Sequence, residues 1–398
     1  MLAADTVGHV PSSQDESRGL QAAEFFAGIG LVRLGLEAAG VEVAFANDIE
    51  PSKHEMYVRQ FGDADGTRSH FAVGDIANVE GAEMPDVDIA WASFPCTDLS
   101  LAGNRRGLEG TQSGTFWQVA RVLREMGERR PAVVALENVT GLATSHGGAD
   151  LIAAIRALND LGYSADVLTL DARRFVPQSR PRLFIVGAQQ PPAEDPEASA
   201  VSELRPSWLQ TAYDMPGLRM HRAALPDPPA MLSGGLGEVV ERGPCLDWWD
   251  ETRTARFLDS LSASQAERLR ALTAAHTVSH RTAYRRTRHG VAVWEIRPDD
   301  VAGCLRTARG GSSKQAVVRA GRGEVRVRWM TPLEYARLMG AGGYAIEGLR
   351  ANQVLFGFGD AVCVPVVSWL AEHYLVPLAR GEMSRCADLS AARSLQAV

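Results

Sequence analysis

At 398 residues, 45% hydrophobic and 22% charged, the chain has the make-up of a folded protein with ample core, which excludes a disordered or fibrous polypeptide. Its five cysteines (Cys96, Cys245, Cys304, Cys363 and Cys386) are scattered with no CxxC, which argues for a reducing cytosol and against a disulfide or zinc framework. Net charge is −7 but unevenly spread: Glu251–Arg328 holds 16 Lys and Arg against 7 Asp and Glu, a basic segment suited to a polyanion inside an acidic chain, although a solvated arginine-rich surface would look the same. No apolar run approaches the ~18 residues of a membrane span, and Met1–Leu20 lacks the apolar centre of a signal peptide.

Residues 1–18 are polar and read as disordered. Order begins with a strand at Gln21–Phe26, a turn Ala27-Gly28-Ile29-Gly30, and a helical pattern from Leu31 to Gly40. Strand, glycine turn and helix bring backbone close to a nucleotide, but the third glycine of a phosphate-binding GxGxxG is replaced by Arg33. The next strand, Val43–Ala46, ends at Asn47-Asp48-Ile49-Glu50, and Phe71–Val73 ends at Asp75-Ile76. An acidic residue about 20 positions after the glycine turn suits a ribose diol. Three strand ends offering Gly, Asp and Asp point to a nucleoside without phosphates.

The fourth strand, Val87–Ala92, breaks at Phe94-Pro95 and presents Cys96 at its end. Proline stiffens the exit, and a thiol there suits a nucleophile once its pKa is lowered; PC alone equally suits a buried structural cysteine. Thr97–Gly114 is a glycine-rich loop with a basic tip, Arg105-Arg106, and has the length of a lid. A helix, Thr115–Glu128, leads to strand Ala132–Leu136, which ends at Glu137-Asn138-Val139, so Cys96 and Glu137 are expected on one edge of a parallel sheet. Gln178-Ser179-Arg180-Pro181-Arg182 then opens a strand, Leu183–Gly187, with both guanidiniums expected on one face.

FAGIG, FPC with TDLS, ENV, QSRPR, RWMTPLEYARLMG and GFGDAVCVPVV occur in the order that characterises the DNA (cytosine-5) methyltransferases, which this chain resembles from Gln21 to about Gly187 and again from Arg328 to about Val376. The resemblance implies a doubly wound, mostly parallel Rossmann-like α/β sheet with an inserted smaller target-recognition domain. Its expected limits are a disordered 1–18, a catalytic and cofactor domain at 19–190, recognition at 191–327, a completing C-terminal part at 328–378 and a tail at 379–398. It implies S-adenosylmethionine as cofactor, with S-adenosylhomocysteine as product and no metal. Phe26, Gly28, Ile29, Gly30, Asp48, Ile49, Asp75, Ile76, Pro95, Asp360, Ala361 and Val362 match its cofactor pocket. Cys96 matches the nucleophile, Glu137 the carboxyl that engages the cytosine, and Arg180 and Arg182 the arginines of the active pocket. DNA contacts are expected from Ser100, Asn104, Arg105, Arg106 and Gln178, and from the basic insert at Arg281, Arg285, Arg286, Arg306, Arg309 and Lys314.

The sequence departs from the family at Thr97 (usually glutamine), Leu31 (a third glycine), Leu333 (the arginine of TPRE) and Asp360-Ala361 (Asn-Ser). Thr331-Pro332-Leu333-Glu334 still reads as a capping box with proline in the first turn. The expected function is sequence-specific methylation of cytosine C5 in double-stranded DNA, by a cytoplasmic, nucleoid-associated monomer with no membrane contact. A cognate restriction endonuclease acting separately is the candidate partner. A tRNA-modifying relative sharing the same pocket and a catalytically silent DNA-binding protein are the alternatives; the first is disfavoured by the large basic insert, the second by the intact Cys96, Glu137 and Arg182.

Overall fold

Runs of small, β-branched and aromatic residues that are apolar on both faces make strands that must be covered on both sides. β4 (Ile89–Ala92) is wholly buried, and six of the seven residues of β5 (Val133–Val139) are. With β1 (Gln21–Phe25), β2 (Glu42–Asp48), β3 (Phe71–Val73), β6 (Ser164–Asp171) and β7 (Pro181–Ala188) they form a seven-stranded sheet in the order β3-β2-β1-β4-β5-β7-β6. The strands are parallel except β7, which runs antiparallel to β5 and to β6. The computed structural model describes residues 18–62, 70–95, 113–193, 201–288, 290–306 and 314–383.

Helices fill the two faces. α1 (Leu31–Ala38) and α2 (Pro51–Phe61) share one core with Trp91 and Phe184, while α3 (Phe116–Glu125) and α4 (Ala149–Asp160) build the other around Phe25, Leu136 and Ile185. Two short helices follow, α5 (Gln210–Tyr213) and α6 (Leu236–Val239). The insertion proper holds α7 (Glu251–Asp259), α8 (Ala263–Ala274) and an antiparallel sheet of β8 (Ser279–Arg288), β9 (Val291–Ile296), β10 (Gln315–Gly321) and β11 (Glu324–Trp329), in the order β11-β10-β8-β9. Its separate core stacks Trp249 on Trp329 (5.3 Å between rings) and Trp294 (5.6 Å), with Phe257 beside them.

This small core begins at Trp249, whereas Leu204, Ala223, Leu236 and Val240 pack with the large sheet. Residues 204–240, expected in the insertion, therefore lie on the catalytic layer, and β11 carries the insertion two residues past Val327. The chain returns through α9 (Pro332–Leu338), α10 (Ala351–Asp360), α11 (Val364–Leu370), a π-turn at Ala371–Leu375 and α12 (Val376–Ala379). Contrary to expectation, 351–379 contains a stretch apolar enough for a membrane span, with mean hydropathy 1.8. That stretch is 67% buried in the fold, and the helical path breaks between α10 and α11, so its apolarity is spent on the large core.

Candidate active site

The carboxyl ends of β3, β2, β1, β4 and β5 lie side by side along one edge, and the order reverses there, as at the ligand crevice of doubly wound sheets. Past β1 the chain turns sharply: Phe26 has φ 59° and Gly28 φ 58°, and the left-handed conformation costs a non-glycine residue about 1–2 kcal/mol. The turn brings the Gly28 N–H to Asp48 Oδ2 at 2.9 Å, while the Glu50 N–H donates to Asp48 Oδ1 at 2.9 Å. Both oxygens are thus aimed by backbone. Asn47 ties the end of β2 to β3 by donating to the Ala72 and Gly74 carbonyls (2.8 and 3.0 Å), and Asp75 caps its own turn through the Ala77 N–H. Between these ends lies a cavity of about 550 Å³ lined by Phe26, Gly28, Asp48, Ile49, Asp75, Ile76, Pro95, Glu137, Arg182, Asp360 and Ala361. Ile49 leaves 65% of its surface open there, an apolar wall beside a fixed carboxylate.

At the other end of the cavity Glu137 meets Arg182, Nε to Oε1 at 2.8 Å, both largely buried. The pairing follows from register: Val139 of β5 lies opposite Arg182 of β7. Asn138 Nδ2 donates to the Phe94 carbonyl at 3.1 Å, which fixes Phe94-Pro95, and so the approach to Cys96, against the strand that carries Glu137. Cys96, Ser100, Asn104, Arg105, Arg106 and Arg309 lie outside the described residues.

Outside the basic insert, five described residues expected at the site sit off the cavity. Ile29 is fully buried in the core and Val362 nearly so. Gly30 (φ 79°) caps α1, and a Cβ there would fall 2.8 Å from the Tyr57 ring; its role is close packing. Arg180 is 3% exposed and turns away from Glu137, donating to the Leu305 and Ala361 carbonyls at 2.9 and 2.6 Å and approaching Cys304 Sγ at 3.3 Å. Gln178 is fully buried, its amide donating to the Leu338 carbonyl and accepting from the Leu305 N–H at 3.0 Å, so its side chain is engaged within the protein. Both side chains tie the start of β7 to the backbone at Leu305, Gln178 reaching the end of α9 and Arg180 the end of α10 as well.

Of the basic insert, Arg285, Arg286 and Arg306 line a second cavity of about 270 Å³ with Arg297 and Cys304, next to the start of β7. Arg281 pairs with Asp300 at 3.5 Å and Lys314 donates to Asn352 at 2.6 Å. Cys304 is a residue that sequence reading passed over, since it stands in no motif. Burial pushes its thiol up, but Arg180 and Arg182 outweigh that and bring it below its ordinary value. Asn138 and Lys53 were also missed as cavity residues; Asn138 at least stood within the ENV motif.

A crevice at the switch point whose far wall is a carboxyl–guanidinium pair, on a sheet with an antiparallel seventh strand, is the architecture of a doubly wound, Rossmann-like methyltransferase fold. The chain belongs to the C-5 cytosine-specific DNA methylase family, whose model matches residues 20–375. It is 34% identical over 169 residues to the Type II methyltransferase M.HhaI of Haemophilus parahaemolyticus (42% of this chain, 49% of that protein). It is also 34% identical over 171 residues to M.Bsp6I of Bacillus sp. (42% and 52%), so the match spans about half the length of these relatives. The fold resembles that of S. pombe Dnmt2 methyltransferase (TM-score 0.57, 16% identity, 90% of this chain and 99% of that one). Entamoeba histolytica EhMeth is similar in fold too (TM-score 0.58, 12% identity, 93% and 100%).

Proposed function

We propose that the chain methylates C5 of cytosine at a specific sequence in double-stranded DNA, using S-adenosylmethionine. The observation that carries this reading is the Glu137–Arg182 pair on the wall of the cavity that holds Asp48, Ile49, Asp75 and Pro95, the residue that precedes Cys96 in the sequence. The cavity fits that cofactor: an oriented carboxylate for a ribose diol, an open apolar wall for a base, and an excess of carboxylates for a cation. When bound, the cofactor supplies an electrophilic methyl group on a sulfonium. The chain's own residues make the base reactive. Addition of the Cys96 thiolate to C6 turns C5 into a carbon nucleophile. Charge builds toward N3 in that step; Glu137 engages the N3 edge of the base and Arg182 stabilises the developing anion. Once C5 is substituted, loss of its proton to water and expulsion of the thiol restore the ring. The base must leave the duplex for any of this.

The insertion's separate core, its arginine-lined cavity and the Type II relatives support DNA over RNA. The test is covalent trapping on 5-fluorocytosine, since fluorine cannot leave as a cation and the Cys96–C6 bond persists. After the target is mapped by methylation-sensitive sequencing, labelled fluorinated DNA and RNA are run on denaturing gels with S-adenosylmethionine. A shifted band with DNA only, lost in Cys96→Ala, is expected. A band with RNA only would transfer the reading to RNA, and no band with mapped DNA would overturn the covalent route.

A further inference from the structure

Two oppositely charged side chains meet on the wall of the large cavity: Asp360, expected at the pocket but given no task above, and Lys53, which stands in no motif. Lys53 Nζ lies 3.2 Å from Asp360 Oδ2, and both residues line the 550 Å³ cavity. The lysine stem crosses the glycine turn, its Cδ 3.8 Å from where a Cβ on Gly28 would sit, and its ammonium lies 5.4 Å from the centre of the Phe356 ring.

Neither charge suits its place in its helix. Lys53 stands in the first turn of α2, where the helix N-terminus is already positive, and Asp360 is the last residue of α10, where the exposed carbonyls are negative. Each charge opposes its helix dipole. An ion pair with one partner partly exposed recovers little by itself. Side chains that break a local rule without a structural return tend to mark function. The pair also falls where the sequence departs from its family, at Asp360-Ala361.

The edge of the sheet says what lies there. Along it run β3 with Asp75, β2 with Asp48, β1 with Gly28, then β4 with Pro95 and β5 with Glu137. A nucleoside with its base at β3 and its ribose at Asp48 directs its 5′ substituent over β1, where Lys53 and Asp360 wait. For S-adenosylmethionine that substituent ends in an α-carboxylate and an α-ammonium, a zwitterion that an ammonium–carboxylate couple complements at both ends.

We infer that Lys53 and Asp360 form a clasp for the amino-acid end of the cofactor, Lys53 holding its carboxylate and Asp360 its ammonium. This rests on the cofactor reading above and assigns the discrimination between ligands with and without an amino-acid tail to these two residues. Ala361, having no hydroxyl, leaves that task to the charges beside it.

The test is calorimetry on the full chain with two ligands that share the nucleoside, S-adenosylhomocysteine and 5′-methylthioadenosine; only the first has the tail. Wild type, Lys53→Met, Asp360→Asn and the double variant are compared. S-adenosylhomocysteine should bind about tenfold to a hundredfold more weakly to each variant, because charge-assisted hydrogen bonds are lost. 5′-Methylthioadenosine should bind all four alike, which also shows that the variants fold. If the double variant keeps wild-type affinity for S-adenosylhomocysteine, or loses both ligands by the same factor, the clasp is refuted. If wild type binds neither ligand, the cofactor reading fails, and the clasp with it.

Discussion

Arg180 and Arg182 stand two positions apart in one motif, and the structure gives them different work. Arg182 reaches Glu137 on the cavity wall, whereas Arg180 is buried among the Leu305, Gly359 and Ala361 carbonyls, joining insertion, sheet and α10. Replacing Arg182 by Lys, which keeps a cation beside the buried Glu137 but loses the fixed guanidinium fork, should sharply lower turnover with little change in melting temperature and unchanged affinity for S-adenosylhomocysteine. Replacing Arg180 by Ala strands buried carbonyls and should cost about 3 kcal/mol of stability, seen in denaturant titration. Equal melting losses in the two variants would mean that both arginines are structural. Spacing could not separate them: alternation along a strand put both on one face, and both do reach Cys304, at 3.3 and 3.9 Å. What divides them is the loop from the insertion that covers Arg180, a contact more than a hundred residues away in sequence.

At the scale of elements, the junction between β11 and α9 shows how a motif departure is absorbed. Leu333 stands where a cation was expected, and the cation comes instead from Arg328, 1% exposed, whose Nη1 donates to Glu334 Oε2 at 2.8 Å while Nη2 meets Oε1. Glu334 closes the expected capping box by accepting from the Thr331 N–H, and also takes the Glu241 N–H at 2.8 Å. One buried carboxylate therefore joins strand, helix and connector. Arg328→Met leaves it buried without its cation and should cost about 3–5 kcal/mol, whereas Arg328→Met with Glu334→Leu should recover much of that loss. A double variant as unstable as the single one would show that the hydrogen bonds to the backbone, rather than the charge pair, hold the junction. Six of the seven strands of the large sheet were legible as short apolar runs stopped by Gly, Pro or an acid; β6 was not, because Ser164 and the buried Asp166 interrupt its apolar run. The insertion was not, since its strands, such as Ser279–Arg288, carry arginines that face ion partners and a cavity instead of a clean alternation. Packing of residues such as Leu204 and Val240 with the large core could not be read either, because they are scattered without a periodic signal.

Across the whole molecule, buried titratable groups set opposing limits on stability with pH. His70, His221 and His280 are all lowered, first by burial and then by nearby arginines, with Arg33 beside His70 and Arg205 near His221. For a base with a lowered folded pKa, the unfolded chain takes up protons first, so stability falls as pH drops below about 6.5, the ordinary histidine value. Glu24 acts in the other direction. It lies in the middle of β1, 1% exposed, with Oε2 lacking a hydrogen-bond partner among the described residues, and burial raises its pKa well above the ordinary value despite Arg33 nearby. An acid raised on folding contributes its stability below its unfolded pKa and loses it as pH climbs through the folded value, because the unfolded chain ionises first. Glu24→Gln keeps the shape and removes the titration. The variant should match wild type near pH 5 and gain on it steadily toward pH 8, measured as the difference in chemical-denaturation midpoints at constant salt. The histidines are common to both proteins and cancel from that difference. A gap that stays constant with pH would show that Glu24 is ionised in the folded chain, with Arg33 as its true partner.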